Sequence, residues 1–328
     1  MNQALLKRLF KTISTEKSSN LAKIALEIVE DERKKGHNNL AKSLESIIIK
    51  NNIQHRNTNI SKIVPLHDLP VDKRYKIPLV NHIEREILRH EMILPEDVEV
   101  KIRRIEQEYA GRERLKHFGL HPRKKILFYG APGCGKSMSA ERIAWNLGLP
   151  FLKVKFEALL SSFLGESATN IKAIFESIKN YPCILLLDEF DFIGKTRSSS
   201  NDVGEMHRIV NILLQIMDEY EAPGILVATT NLEGSLDEAL FRRFDDIIEL
   251  PKPENKQICA LLKATLSSIE TDKKLDLQKL ADKMLGYSPA IIVKIAQDAA
   301  KEAVLNSQLP VDINHLTKAL FDNKKNGE

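Results

Sequence analysis

The stretch FYGAPGCGKSMSA, Phe128–Ala140, decides the fold. Within it Gly130, Ala131, Pro132, Gly133, Cys134, Gly135, Lys136 and Ser137 fill every position of the pattern G-x-x-x-x-G-K-[ST]. The apolar run Ile126–Tyr129 before it predicts a short buried strand. Ala140, Ile143, Ala144 and Leu147 after it stand at helical spacing. A glycine-rich loop between a strand and a helix turns successive backbone N–H groups inward around an anion. The helix N-terminus adds partial positive charge. Lys136 has the reach to meet β- and γ-phosphates, and the Ser137 hydroxyl is suited to Mg²⁺.

The rest of the composition bounds what surrounds this cradle. At 328 residues the chain has room for two or three domains with substantial cores. No run of 18 apolar residues suggests a membrane span, and MNQALLKRLFKTIS lacks the apolar centre of a signal peptide. Three scattered cysteines, Cys134, Cys183 and Cys259, suggest neither a disulfide framework nor a zinc site, so a reducing cytoplasm is expected. Residues 1–125 carry 26 Lys+Arg against 17 Asp+Glu, a net +9, and the remainder 23 against 28, a net −5. A basic front half suits an acidic partner or nucleic acid, or simply a solvated surface.

Periodicity divides the chain. Leu5, Leu6, Leu9 and Ile13, then Leu21, Ile24, Ile28 and Val29, then Leu40, Leu44, Ile47 and Ile48 form three helical stripes. They predict a small helical domain over 1–52. A polar, proline-bearing connector follows, with 53–95 taken as linker, although residues from 82 to 118 read helical with a break near Pro95. From Lys125 onward short apolar runs alternate with helical segments. The expected strands are Ile126–Tyr129, Phe151–Val154, Ile184–Leu187, Ile225–Ala228 and Ile247–Leu250. That alternation predicts an α/β domain over 96–253 with a largely parallel sheet and helices on both faces. After Pro251 and Pro253 the chain reads helical, over 254–328.

Three further segments carry chemistry. CILLLDEF ends an apolar strand in Asp188-Glu189, which puts two acids at the carboxyl edge of a sheet, where ligands bind. Asp188 suits Mg²⁺, and Glu189 suits polarisation of an attacking water. ILVATTN ends another strand in Asn231, a residue able to hold that water and equally able to cap a turn. Arg242 and Arg243 stand together before the last strand. Taken alone they are either surface arginines or groups that stabilise charge on a transferring phosphoryl.

In this order the segments resemble the AAA family of ATPases, the protein-remodelling branch of the wider AAA+ group, over about residues 110–305. LKHFGLHPRKKILFYGAPGCGKS, ALLSSFLGESATNIKAIFESI, ILLLDEFDFIG, VATTN and LDEALFRRFDDIIELPKP are similar to its phosphate-loop approach, pore segment, metal and base motif, polar sensor and arginine-finger region. The resemblance implies a P-loop NTPase core with a five-stranded parallel sheet, followed by a C-terminal helical lid. It also implies rings of six that bind ATP and Mg²⁺ between subunits. It makes Arg242 and Arg243 fingers that reach a neighbour. It adds Met138, Gly286 and Ala290 to the nucleotide site, and makes Phe163, Leu164 and Gly165 a pore triplet that grips polypeptide. A second pore loop would span Gly194–His207. The sequence departs from the family pattern at Cys134, where threonine is usual, and at Pro289 in GYSPA, where glycine is usual. The aspartate–glycine segment expected upstream of the phosphate loop is not evident.

The function implied is a Mg²⁺-ATP-driven motor that remodels or unfolds protein. It would form homo-oligomers in the cytoplasm, with feeding or restraining a separate protease as one variant of that role, in a chain whose Lys, Asn and Ile content suits a bacterial source. The alternative is a nucleic-acid-directed ATPase of the helicase-loader or transposition-helper type. The basic front half favours that alternative, and the Phe-Leu-Gly triplet and paired arginines disfavour it.

Overall fold

The computed structural model describes residues 69–71, 76–156, 167–190, 203–231, 241–272, 275–306 and 308–325. The chain divides into two units, Met1–Pro65 and Leu66–Glu328, and every described residue lies in the second. The expected N-terminal helical domain, the triplet Phe163-Leu164-Gly165 and most of the second pore loop lie outside the described residues.

The sheet is built from β1 (Val80–Ile83), β2 (Lys125–Tyr129), β3 (Phe151–Val154), β4 (Ile184–Leu187), β5 (Ile225–Thr230) and β6 (Asp246–Glu249). Their order is β1-β3-β4-β5-β2-β6, with β1 antiparallel to β3 and all other neighbours parallel. The expected five-stranded parallel sheet is thus corrected to a six-stranded, mostly parallel one. The added edge comes from a segment read as connector and helix. Val80 pairs with Val154 and Ile83 with Phe151. The Lys155 N–H donates to the Leu79 carbonyl at 2.9 Å, which extends the ladder. A short antiparallel strand here covers the edge that β3 would otherwise expose.

Every residue of β4 and β5 is buried, as expected of parallel strands covered on both faces. Alternate side chains feed two cores. Leu127, Leu185, Leu187, Leu226 and Ala228 pack with α4 (Ser167–Ile178) and α5 (Val203–Asp218). Ile126, Phe128, Ile184, Leu186 and Val227 pack with α1 (Glu96–Ala110) and α3 (Lys136–Leu147). The short α2 (Arg112–His117) links α1 to β2. This is a three-layer α/β arrangement.

Gly224 marks a close approach just before β5. A Cβ built there would lie 2.0 Å from the Cys183 carbonyl oxygen and 2.7 Å from the Cys183 nitrogen. That same carbonyl accepts the Ile225 N–H at 2.9 Å, so the clash falls on the start of a central strand pair. Gly224→Ala is expected to destabilise the protein by about 2–3 kcal/mol, the range of an overpacked core. A thermal melt tests it, with a fall in Tm of roughly 3–5 °C expected for a chain of this length.

Four helices follow the sheet: α6 (Asn255–Thr265), α7 (Leu277–Lys283), α8 (Pro289–Leu305) and α9 (Ile313–Lys325). Glu254 and Gln257 form a capping box at α6, and the Asp276 carboxylate accepts the Gln278 and Lys279 N–H groups at the start of α7. Pro289 takes the first turn of α8, where a missing N–H costs nothing. Ala296, Ala299, Ala300 and Ala303 let α8 pack closely in a core shared with Ile258, Leu262, Leu280 and Leu316. Among the described residues no helix is long and apolar enough to cross a membrane.

Candidate functional site

An open cleft of ≈ 1450 Å³ runs along the carboxyl edge of the sheet and is closed on one side by α6 and α8. Its floor is the loop between β2 and α3. Gly133 holds φ +76°, and a Cβ there would stand 2.8 Å from Ser288 Oγ and 3.0 Å from Ala290 Cβ. The Ala290 N–H donates to the Gly133 carbonyl at 3.2 Å. The first turn of α8 therefore rests directly on the loop, and Pro289 is what sets that turn. Lys136 is buried and donates from Nζ to the Gly130 and Ala131 carbonyls at 2.8 and 2.9 Å. Pro132, Gly133, Cys134, Gly135, Lys136, Ser137 and Met138 line the cleft, as do Asp188, Glu189, Asn231 and Ala290.

The strand-end acids are held by a compact network. Ser137 Oγ donates to Asp188 Oδ1 at 2.7 Å, and Thr229 Oγ1 donates to the same oxygen at 2.6 Å. Lys153 Nζ meets Asp188 Oδ2 at 2.6 Å. Burial alone would raise the Asp188 carboxyl. Hydrogen bonds from Lys153, Ser137 and Thr229 outweigh it and hold the group below the usual carboxylate range. Glu189 follows in the left-handed region at φ +55°, an uncommon place for a residue with a side chain. Two bonds from Thr229 pin that turn. Its Oγ1 accepts the Glu189 N–H at 3.0 Å, and its carbonyl accepts the Phe190 N–H at 2.7 Å. The side chain of Glu189 is exposed to the cleft.

A further part of the cleft wall comes from the segment expected to be helical. Residues 88–95 are irregular, and Arg89, His90, Glu91, Met92, Ile93 and Leu94 all line the cleft. Side chains tie this segment to α3. Arg89 forms a bidentate ion pair with Glu141, and its N–H donates to Glu141 Oε2 at 2.9 Å. His90 stacks on Trp145 with ring centroids 4.0 Å apart, and the Arg85 guanidinium lies 4.8 Å from the same ring. Ile93 and Leu94 from this segment, with Leu261 and Ala264 of α6 and Val293 of α8, add apolar lining to the cleft.

Sequence reasoning missed Thr229, Lys153 and this wall. Thr229 had a signal, a polar pair closing an otherwise apolar strand. The wall had none, because its helical spacing misleads and its placement comes from Glu141 and Trp145, far along the chain.

Three of the sequence-derived sets fall elsewhere. Gly130 and Ala131 are not among the lining residues, and their carbonyls accept Lys136 Nζ. Gly286 takes φ +88° in the turn before α8 and does not line the cleft. Arg242 and Arg243 do not line it either. Arg242 is exposed, and Arg243 Nε pairs with Asp218 at 3.0 Å.

Comparison with known proteins bears on this arrangement. The sequence profile of the ATPase family associated with various cellular activities (AAA) matches residues 126–252. That span runs from β2 through β6 and contains the loop, both strand-end acids and the arginine pair. The chain is also 33% identical over 301 residues to an uncharacterised AAA family ATPase, y4kL, of Sinorhizobium fredii (strain NBRC 101917 / NGR234), covering 91% of this chain and 89% of that protein. This chain belongs to the AAA family of ATPases. The matched region holds β2–β6 of the ATPase's sheet, while β1, α1, α2 and the four C-terminal helices lie beyond it.

Proposed function

We infer that this ATPase works as a ring of copies of itself and remodels polypeptide. The observation that carries the reading is the position of the arginines. Lys136, Ser137, Asp188, Glu189 and Asn231 line one cleft, whereas Arg242 and Arg243 sit outside the lining of their own chain's cleft. Paired arginines placed there suit the phosphate of a neighbouring copy.

The residues fit Mg²⁺ and ATP. Ser137, Asp188 and Thr229 offer the hard oxygen donors that Mg²⁺ prefers. The amides around Gly133, with Lys136, would hold the phosphates, and the apolar lining from Ile93, Leu94, Leu261 and Val293 suits a flat base. Bound Mg²⁺ would neutralise phosphate charge. Glu189 would orient and polarise the attacking water, Asn231 would hold it, and Arg242 and Arg243 would stabilise the transferring phosphoryl from the adjacent subunit. In this reading residues 1–52 choose a partner, the α/β domain holds nucleotide with β1 and the wall at 89–94 included in it, and 254–328 act as a lid.

Phe163-Leu164-Gly165 lies outside the described residues, and its role as a grip on substrate rests on the sequence alone. An aromatic side chain offers apolar contact that does not depend on substrate sequence. Phe163→Ala is expected to keep basal ATP turnover within about twofold. It should lose at least about tenfold in ATP-driven unfolding of a fluorescently labelled, unfolded-tailed test protein, about 1.4 kcal/mol of coupling. Full unfolding by that variant would remove the threading mechanism. The basic excess in residues 1–125 favours the second reading, an ATPase directed to nucleic acid. A gel shift of labelled DNA that weakens steeply with salt would support it, and no shift at low salt would remove it.

A further inference from the structure

Lys153 belongs to neither the glycine loop nor the strand-end acids, yet it reaches the centre of the site. It is the one charged residue in β3, where Phe151, Leu152 and Val154 are buried. Parallel pairing sets Lys153 opposite Leu186, two residues before Asp188. Two residues of strand rise are about 6.6 Å, a distance a lysine stem spans. Its ammonium lies 2.6 Å from Asp188 Oδ2, and the two side chains are 40% and 15% exposed.

This leaves Asp188 fully engaged. One oxygen accepts from Ser137 and Thr229, and the other accepts from Lys153. Ser137 and Asp188, the two groups expected to hold the divalent cation, are bonded to each other, and Asp188 is bonded to a resident positive charge as well. A carboxylate this sheltered needs a cation, and Lys153 supplies one. An ammonium and a divalent ion within a few ångströms of the same carboxylate repel strongly where the surroundings are only partly solvated.

We propose that Lys153 is a positioning residue that competes with Mg²⁺ for Asp188. It keeps the carboxylate ordered while the metal is absent, and it must leave Oδ2 as the metal loads. Its partial exposure gives it somewhere to go. The metal requirement of the nucleotide complex is therefore set in part by a lysine on the neighbouring strand. This rests on reading Ser137 and Asp188 as the metal site.

The test is a Mg²⁺ titration of the full-length protein, stripped with EDTA, with N-methylanthraniloyl-ADP fluorescence as the readout. Lys153→Met keeps the stem and removes the charge. Its half-saturating Mg²⁺ concentration is expected to fall about tenfold, a difference of about 1.4 kcal/mol. Lys153→Arg, which keeps the charge, should stay within about twofold of the parent. Lys153→Gln gives the same comparison if the Met variant folds poorly by thermal melt. A half-saturation point in Lys153→Met equal to or above that of the parent overturns the competition. So does a loss of ADP affinity in EDTA, which would make Lys153 a phosphate ligand. If parent and variant both respond to Mg²⁺ identically, only the competition fails. If ADP binding by the parent ignores Mg²⁺ altogether, the reading of the metal site fails with it.

Discussion

Arg242→Ala is expected to cut ATP turnover by about 10³–10⁵-fold, the range associated with a phosphate-directed arginine supplied by another subunit. Nucleotide binding by the altered chain should survive, because Arg242 does not line the cleft that its own chain forms. The backbone around it is well anchored. Phe244 is buried and meets Phe190 edge-on, with centroids 6.4 Å apart. β6 then continues into the sheet beside β2. A substitution at exposed Arg242 should therefore leave the fold alone. Arg243→Ala should act in the same direction with an added loss of the Asp218 ion pair. At the 54% exposure of Asp218 that pair is worth under about 1 kcal/mol. Mixing separates action within a chain from action between chains. An Arg242→Ala chain keeps an intact cleft, and a Lys136→Ala chain keeps intact arginines. Each alone should be inactive, and together they should recover turnover where a sound cleft faces a sound arginine. No recovery on mixing would place the arginine's action within its own chain, or nowhere near the chemistry.

The phosphate loop was readable because its chemistry demands fixed residue types at fixed spacing, and the central strands because burial on both faces makes them continuously apolar. Ile184–Leu187 is the clearest case, with all four residues buried. β1 was not readable for the opposite reason. In LVNHIEREIL the apolar residues Val80, Ile83 and Ile87 stand at helical spacing, and a strand of four residues is too short for alternation to outweigh that. What makes it a strand is non-local, namely the open edge of β3, and no local pattern reports an open edge. The upstream wall of the cleft is hidden in the same way. Arg89 and His90 take their places from Glu141 and Trp145, 52 and 55 positions further along the chain. Asp188 and Lys153 illustrate both limits at once. The aspartate was legible as a strand-end acid, whereas the lysine beside it is a lone charge in an apolar strand. Its meaning depends on strand order.

Glu189→Gln is expected to reduce ATP turnover by at least about 10²-fold, the lower end of what a positioned general base supplies. ATP should still bind. Gln has the same Cβ as Glu, so the unusual φ of +55° is no worse tolerated, and the bond from the residue 189 N–H to Thr229 Oγ1 is made by backbone. A chain that binds and does not turn over accumulates the ATP state, and that makes its mass in solution informative. With saturating Mg²⁺-ATP the variant should shift towards the mass of six subunits, while the nucleotide-free protein stays smaller. That shift would give Arg242 and Arg243 a neighbour to act on and would supply the central channel that a gripping Phe163 requires. A variant that binds ATP yet remains a monomer or dimer would deprive both of their setting. The cleft would then gate a switch between nucleotide states, with the contact between Ala290 and Gly133 as the joint through which the helical region senses the loop.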